Sequence, residues 1–81
     1  MNVKLFVKSN CPRCPAAKRA CEGLQPLEVF DIDEIDGLAE AAFYSVLSTP
    51  SIVVVDAKGS EVASWRGEVP DRRAIDSLLA N

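Results

Sequence analysis

The residues best equipped for chemistry stand in one short stretch, SNCPRCP, where Cys11 and Cys14 lie two residues apart and each precedes a proline. One further cysteine, Cys21, completes the set, and the chain has no histidine. Two thiols at this spacing can exchange a disulfide, hold a soft metal ion, or fill a small-residue core. Each use needs different surroundings, so the elements that carry the pair bear on the choice.

Val3, Leu5 and Val7 alternate with Lys4, Phe6 and Lys8, which predicts a strand ending close to the pair. From Pro12 to Gly23, Cys14, Ala17, Cys21 and Leu24 recur at steps of three and four, while Arg13, Lys18, Arg19 and Glu22 fall elsewhere. That is the pattern of an amphipathic helix closed by a glycine. LEVFDID at 27–33 predicts a second strand, and 36–47 a second helix built on Leu38, Ala41, Ala42 and Val46. After Thr49 and Pro50, the run SIVVVD is apolar enough for a strand buried on both faces. Ala57, Lys58 and Gly59 signal a turn, and EVASW returns as a partner strand, giving a hairpin over 51–65. Pro70 suits the first turn of a last helix whose inward stripe is Ile75, Leu78 and Leu79.

The order is therefore β-α-β-α-β-β-α, an α/β fold in one domain spanning 1–81, with a four-stranded mixed sheet in the order 2-1-3-4 and helices on both faces. With 81 residues there is room for a single small core, which leaves little surplus stability for features that serve no purpose.

If the helix begins at the pair, Cys11 occupies its N-cap and Cys14 its third position. An N-cap group accepts backbone N–H bonds, and the positive end of the helix favours an anion. Such surroundings lower a cysteine pKa from about 8.5 into roughly 3.5 to 7.5, so Cys11 is the candidate nucleophile. Cys14 shares the apolar stripe with Ala17 and is the sheltered partner, as two-step thiol-disulfide exchange requires. Pro12 fits the first helical turn, whereas Pro15 removes an early hydrogen bond and disfavours helical geometry at Cys14. Cys21 lies roughly 10 Å along the helix from Cys14, too far for a disulfide within an intact helix, and is expected to pack in the core.

The net charge of −3 gives no case for nucleic-acid binding. Charge is nevertheless uneven: Lys4, Lys8, Arg13, Lys18 and Arg19 face Glu22 alone in the first 22 residues, and residues 23–48 hold six acids and no base. Two solvated faces would explain this, and so would a positive rim around the cysteines that favours a thiolate and steers acidic partners. The alternating N-terminus is neither a secretory signal nor a membrane span, which places the protein in a reducing cytosol without a membrane partner.

CPRC at a strand-helix junction, Thr49-Pro50 before a buried strand and a closing hairpin-helix unit together resemble the thioredoxin superfamily, glutaredoxins included. The resemblance covers nearly the whole chain and implies a thioredoxin-like fold. LFVKSNCPRC looks like a glutaredoxin opening, in which Lys8 matches the lysine that helps hold the glycine carboxylate of glutathione. TPSIVVVDAKGSEVASWRG looks like the closing half of a thioredoxin. Thr49-Pro50 would then be the cis-proline loop facing Cys11, with Thr49 offering backbone hydrogen bonds to an extended substrate, and Pro12 and Arg13 would also touch the substrate. WRGEVPD stands where glutaredoxins carry a glycine pair, which favours a thioredoxin-reductase-type donor over glutathione. Asn10 and an apolar strand replace the tryptophan and buried aspartate usual in thioredoxins.

The implied protein is a monomeric protein-disulfide reductase with no bound cofactor beyond a Cys11–Cys14 redox disulfide. Two other classes stay open. A CxxC after the first strand also occurs in small soft-metal-binding domains of copper-chaperone type, whose order is β-α-β-β-α-β. Structural zinc is poorly served by three cysteines. A binding adaptor whose cysteines matter little would use the charged faces instead.

Overall fold

A computed structural model describes residues 1–80. Its elements are β1 (Asn2–Val7), α1 (Cys14–Ala20), β2 (Leu27–Asp31), α2 (Ile35–Phe43), β3 (Ser51–Val55), β4 (Glu61–Arg66) and α3 (Arg72–Leu79). The strands form one sheet in the order β2-β1-β3-β4. β1 runs parallel to β2 with Leu5 opposite Val29, and antiparallel to β3 with Leu5 opposite Ile52. β3 and β4 close the sheet as an antiparallel hairpin. The expected order of elements and strands is the one observed, and it excludes the β-α-β-β-α-β arrangement of the soft-metal domains.

Burial follows from the pleat. Val3, Leu5 and Val7 of β1 and Ile52 and Val54 of β3 meet Cys14, Ala17, Cys21, Leu24 and Ile75 on one face. Phe6, Val53 and Val55 meet Ala41 and Val46 on the other. β3 has no exposed residue, in keeping with its β-branched run and its place between two strands and two helix layers. Among the described residues, no helix is long and apolar enough to cross a membrane.

Three expectations are corrected. Lys4 does not belong to a rim around the cysteines: it is buried on the α2 face, where its Nζ lies 2.9 Å from Glu28 and 2.8 Å from Glu40. The α2 stripe is also shifted, because Leu38 and Ala42 are exposed and the inward residues are Gly37 and Ala41. Gly37 explains the shift: a Cβ there would run into the Asp31 backbone carbonyl, so only glycine lets α2 lie this close to the end of β2. Finally, Pro70 precedes α3 rather than opening it. Asp71 is the N-cap, its carboxylate accepting the Arg73 N–H at 2.9 Å.

Candidate active site

The cysteine pair hangs from the end of β1, and its geometry is set by the two prolines. α1 begins at Cys14 with Arg13 as the N-cap, so Cys11 stands two residues ahead of the cap and does not occupy it. Cys11 to Cys14 instead form a turn closed by the Cys14 N–H donating to the Cys11 carbonyl at 3.3 Å. Pro12 takes the second turn position, where its fixed φ fits, and Arg13 at φ −99° and ψ −4° has the third-position conformation of a type I turn. The first helical bond runs from the Ala17 N–H to the Arg13 carbonyl. Pro15 is thus the second residue of the helix, where an N–H would have had no partner to lose.

The turn brings the two Cα atoms to 5.3 Å, within the range a disulfide spans, and Cys11 and Cys14 are joined by one. Their exposure differs. Cys14 is 4% exposed within the core against Ala17, whereas Cys11 is half-buried and packs on the edge of that core.

Hydrogen bonds hold the turn from two sides. The Ser9 N–H and hydroxyl both donate to the Asp33 carboxylate, at 3.1 and 2.7 Å, tying the approach to the cysteines to the β2–α2 loop. These bonds hold the Asp33 carboxyl below its usual range, the hydroxyl contributing most and the charge of Lys8 adding to it. On the other side, the Arg13 guanidinium donates from Nη2 to the Gly67 carbonyl at 2.7 Å. The Gly67 N–H donates in turn to the Pro50 carbonyl at 2.9 Å. Gly67 has φ +72°, and a Cβ on it would approach the Ser48 hydroxyl at 3.1 Å, so this crossing point requires glycine.

Thr49-Pro50 is a cis peptide, as is Gln25-Pro26, which the sequence did not announce. Pro50 is buried and Thr49 half-buried at the mouth of β3. Cys11, Cys14, Arg13 and Pro50 therefore belong to one linked set of loops, with Thr49 beside it. Pro12 is exposed on the turn, and Lys8 is exposed at the end of β1 with its charge falling on Asp33. Gly67 and Asp33 were not singled out from the sequence. A glycine directly after the last strand was the visible sign of the first, whereas the Ser9 to Asp33 bond joins residues 24 apart and left no local sign.

Cys21 is fully buried in the α1 face of the core, and that burial pushes its thiol up, with the Arg72 charge pulling the other way. Packing is the place the structure gives it. Among the described residues, no group of three or more His, Cys, Asp or Glu side chains could hold a metal ion.

A β2-β1-β3-β4 sheet with a disulfide at the end of its first strand and a cis-proline ahead of its third is thioredoxin-like, and the chemistry it defines is thiol-disulfide oxidoreduction. The thioredoxin domain family model matches residues 1–80, so the chain belongs to the thioredoxin family. It is 32% identical over 59 residues to a thioredoxin of Methanocaldococcus jannaschii, a match covering 67% of this chain and 69% of that one. Among solved structures, a mutant thioredoxin of Halobacterium salinarum superposes with a TM-score of 0.77 at 26% identity, over 95% of this chain and 69% of that one. Thioredoxin 1 of Thermosipho africanus superposes with a TM-score of 0.72 at 19% identity, over 99% and 92%, and shows the same fold.

Proposed function

We propose that this protein reduces disulfides of other proteins by a dithiol cycle in which Cys11 attacks and Cys14 resolves. The observation that carries the assignment is the unequal exposure across the turn, with Cys14 at 4% and Cys11 half-buried beside it. A substrate disulfide can approach Cys11 first. The Cys11 thiolate attacks one substrate sulfur, that S–S bond breaks, and the departing substrate thiolate takes a proton. Cys14 then gives up its proton and attacks the Cys11 sulfur of the mixed disulfide, releasing the second substrate thiol and forming the Cys11–Cys14 bond. Two electrons pass to the substrate, and the redox group is the disulfide itself.

A nearby positive charge favours a thiolate, and Arg13, two residues along the chain from Cys11, carries one on the same turn. The unpartnered N–H and C=O of Thr49, among the described residues, are suited to pair with an extended substrate segment next to cis-Pro50. Pro12 and Arg13 would meet that segment from the cysteine turn, and Lys8 lies further off towards Asp33.

The donor we assign is a thioredoxin-reductase-type flavoenzyme, with glutathione the weaker reductant, and the cysteine usage suits a reducing cytosol. The test supplies the oxidised protein with NADPH and a thioredoxin reductase, or with glutathione, and follows the appearance of free thiols. Faster reduction through the reductase is expected. Faster reduction by glutathione would overturn the donor assignment.

A further inference from the structure

Of the nine basic side chains, Lys58 is exposed on the β3–β4 hairpin with no ion pair among the described residues, and the other eight fall into two groups. Lys4, Arg66, Arg72 and Arg73 each form an ion pair, with Glu28 and Glu40, Glu61, Asp76 and Asp71 respectively. Lys8, Arg13, Lys18 and Arg19, the bases that flank the cysteine turn or follow it within two helical turns, are exposed and have no such pair among the described residues. The nearby acids form no ion pair with them among the described residues. Asp33 accepts from Ser9 and feels the charge of Lys8 without pairing with it, and Glu68, next to Gly67, is exposed and forms no ion pair among the described residues.

Arg13 stands out within this group. Its guanidinium is anchored through one nitrogen on a neutral backbone carbonyl, that of Gly67, although a carboxylate belongs to the very next residue. The bond fixes the side chain between the cysteine turn and the loop that carries the Gly67 N–H to the Pro50 carbonyl. A long side chain so held has already lost much of the rotamer freedom that binding would otherwise cost, and its remaining N–H groups form a planar fork matched to a carboxylate.

We infer that Arg13 determines specificity, selecting disulfides flanked by aspartate or glutamate. The inference rests on the dithiol function proposed above and adds the substrate class. The substrate segment lies between the cysteine turn and the cis-Pro50 loop, and its acidic side chain pairs with Arg13 while its disulfide meets Cys11. Lys18, one helical turn beyond Cys14, adds a longer-range attraction that salt weakens.

The experiment uses three disulfide-linked peptide dimers, identical except for glutamate, glutamine or lysine on both sides of the cysteine. Oxidation of the reduced protein is followed in single turnover by acid quench and mass spectrometry, for the wild type, Arg13→Glu and Lys58→Glu. Lys58 lies on the β3–β4 hairpin, so its variant makes the same change in net charge away from the cysteines. The wild type should react about tenfold faster with the glutamate peptide than with the lysine peptide at low salt, with glutamine between them. Arg13→Glu should reverse that order, and Lys58→Glu should keep it. If all peptides react and Arg13→Glu keeps the wild-type ratio, or if both variants change it equally, Arg13 is not the determinant and the inference fails while the dithiol function stands. If no peptide oxidises the wild-type protein, the dithiol function itself fails and takes the inference with it.

Discussion

Replacing Lys4 by methionine keeps most of a buried aliphatic stem and removes only its charge. Lys4 is 8% exposed, with its Nζ 2.9 Å from Glu28 and 2.8 Å from Glu40, and 5.2 and 5.8 Å from the ring centres of Phe30 and Tyr44. The two carboxylates are partly in water, Glu28 half exposed and Glu40 less so, which limits each ion pair to about 0.5–1 kcal/mol. The cation-ring contacts add about 0.5–1 kcal/mol, and the variant leaves two carboxylates side by side with no cation between them. The expected loss is roughly 2 kcal/mol at pH 7, which for a domain of this size lowers the melting temperature by about 10 °C.

Urea unfolding followed by circular dichroism gives the midpoint at each pH, with the slope unchanged. Burial alone would lower the Lys4 pKa, but the hydrogen bonds to Glu40 and Glu28 outweigh it and the value is raised. The stabilisation is therefore complete below about 10.4 and is lost as pH rises through the folded value. A Lys4→Met protein as stable as the wild type at pH 7, or a gap that stays constant as pH rises through the folded Lys4 value, would refute this account of the cluster.

Two further outcomes follow from the frame around the site. Gly37→Ala forces α2 away from the Asp31 carbonyl and should cost about 2–3 kcal/mol by thermal melting; an unchanged melting temperature would show that the close approach is not needed. Asp33, Glu61 and Asp71 all have lowered pKa values, chiefly through hydrogen bonds from Ser9, Arg66 and Arg73. Their contribution is present above the ordinary carboxylate value of about 4 and is lost as pH falls through the lower folded values. The urea midpoint should accordingly be flat from pH 5 to 8 and fall below about pH 4, whereas a midpoint that rises on acidification would contradict it.

The fold was legible because its strongest signals are local. The β-branched run at 51–55 and the three-and-four spacing of Cys14, Ala17, Cys21 and Leu24 each point to one kind of element, and those residues are the core. The cysteines and Thr49-Pro50 were legible for the same reason, as short motifs with few structural uses. What escaped was whatever depends on an approach between distant segments. Lys4 reads as a solvent-facing strand residue until Glu28 and Glu40 are brought over it. Leu38 fits a helical stripe as well as Gly37 does, and only the tight contact with Asp31 turns α2 the other way. Placing Cys11 at a helix cap failed because two prolines in four residues favour a turn before the helix, and that turn also accounts for Pro15. The Arg13 to Gly67 bond spans 54 residues and has no sequence signature at all.

The central claim is that Cys11 attacks and Cys14 resolves, and trapping tests it most directly. Reduced Cys14→Ser and Cys11→Ser proteins are mixed with a disulfide-bonded protein substrate, quenched in acid and weighed by intact-mass spectrometry without reductant. Cys14→Ser should accumulate a mixed disulfide through Cys11 that persists until another thiol is added, and Cys11→Ser should form little. A stable adduct on Cys14 in the Cys11→Ser protein, with none on Cys11 in the reciprocal variant, would contradict it.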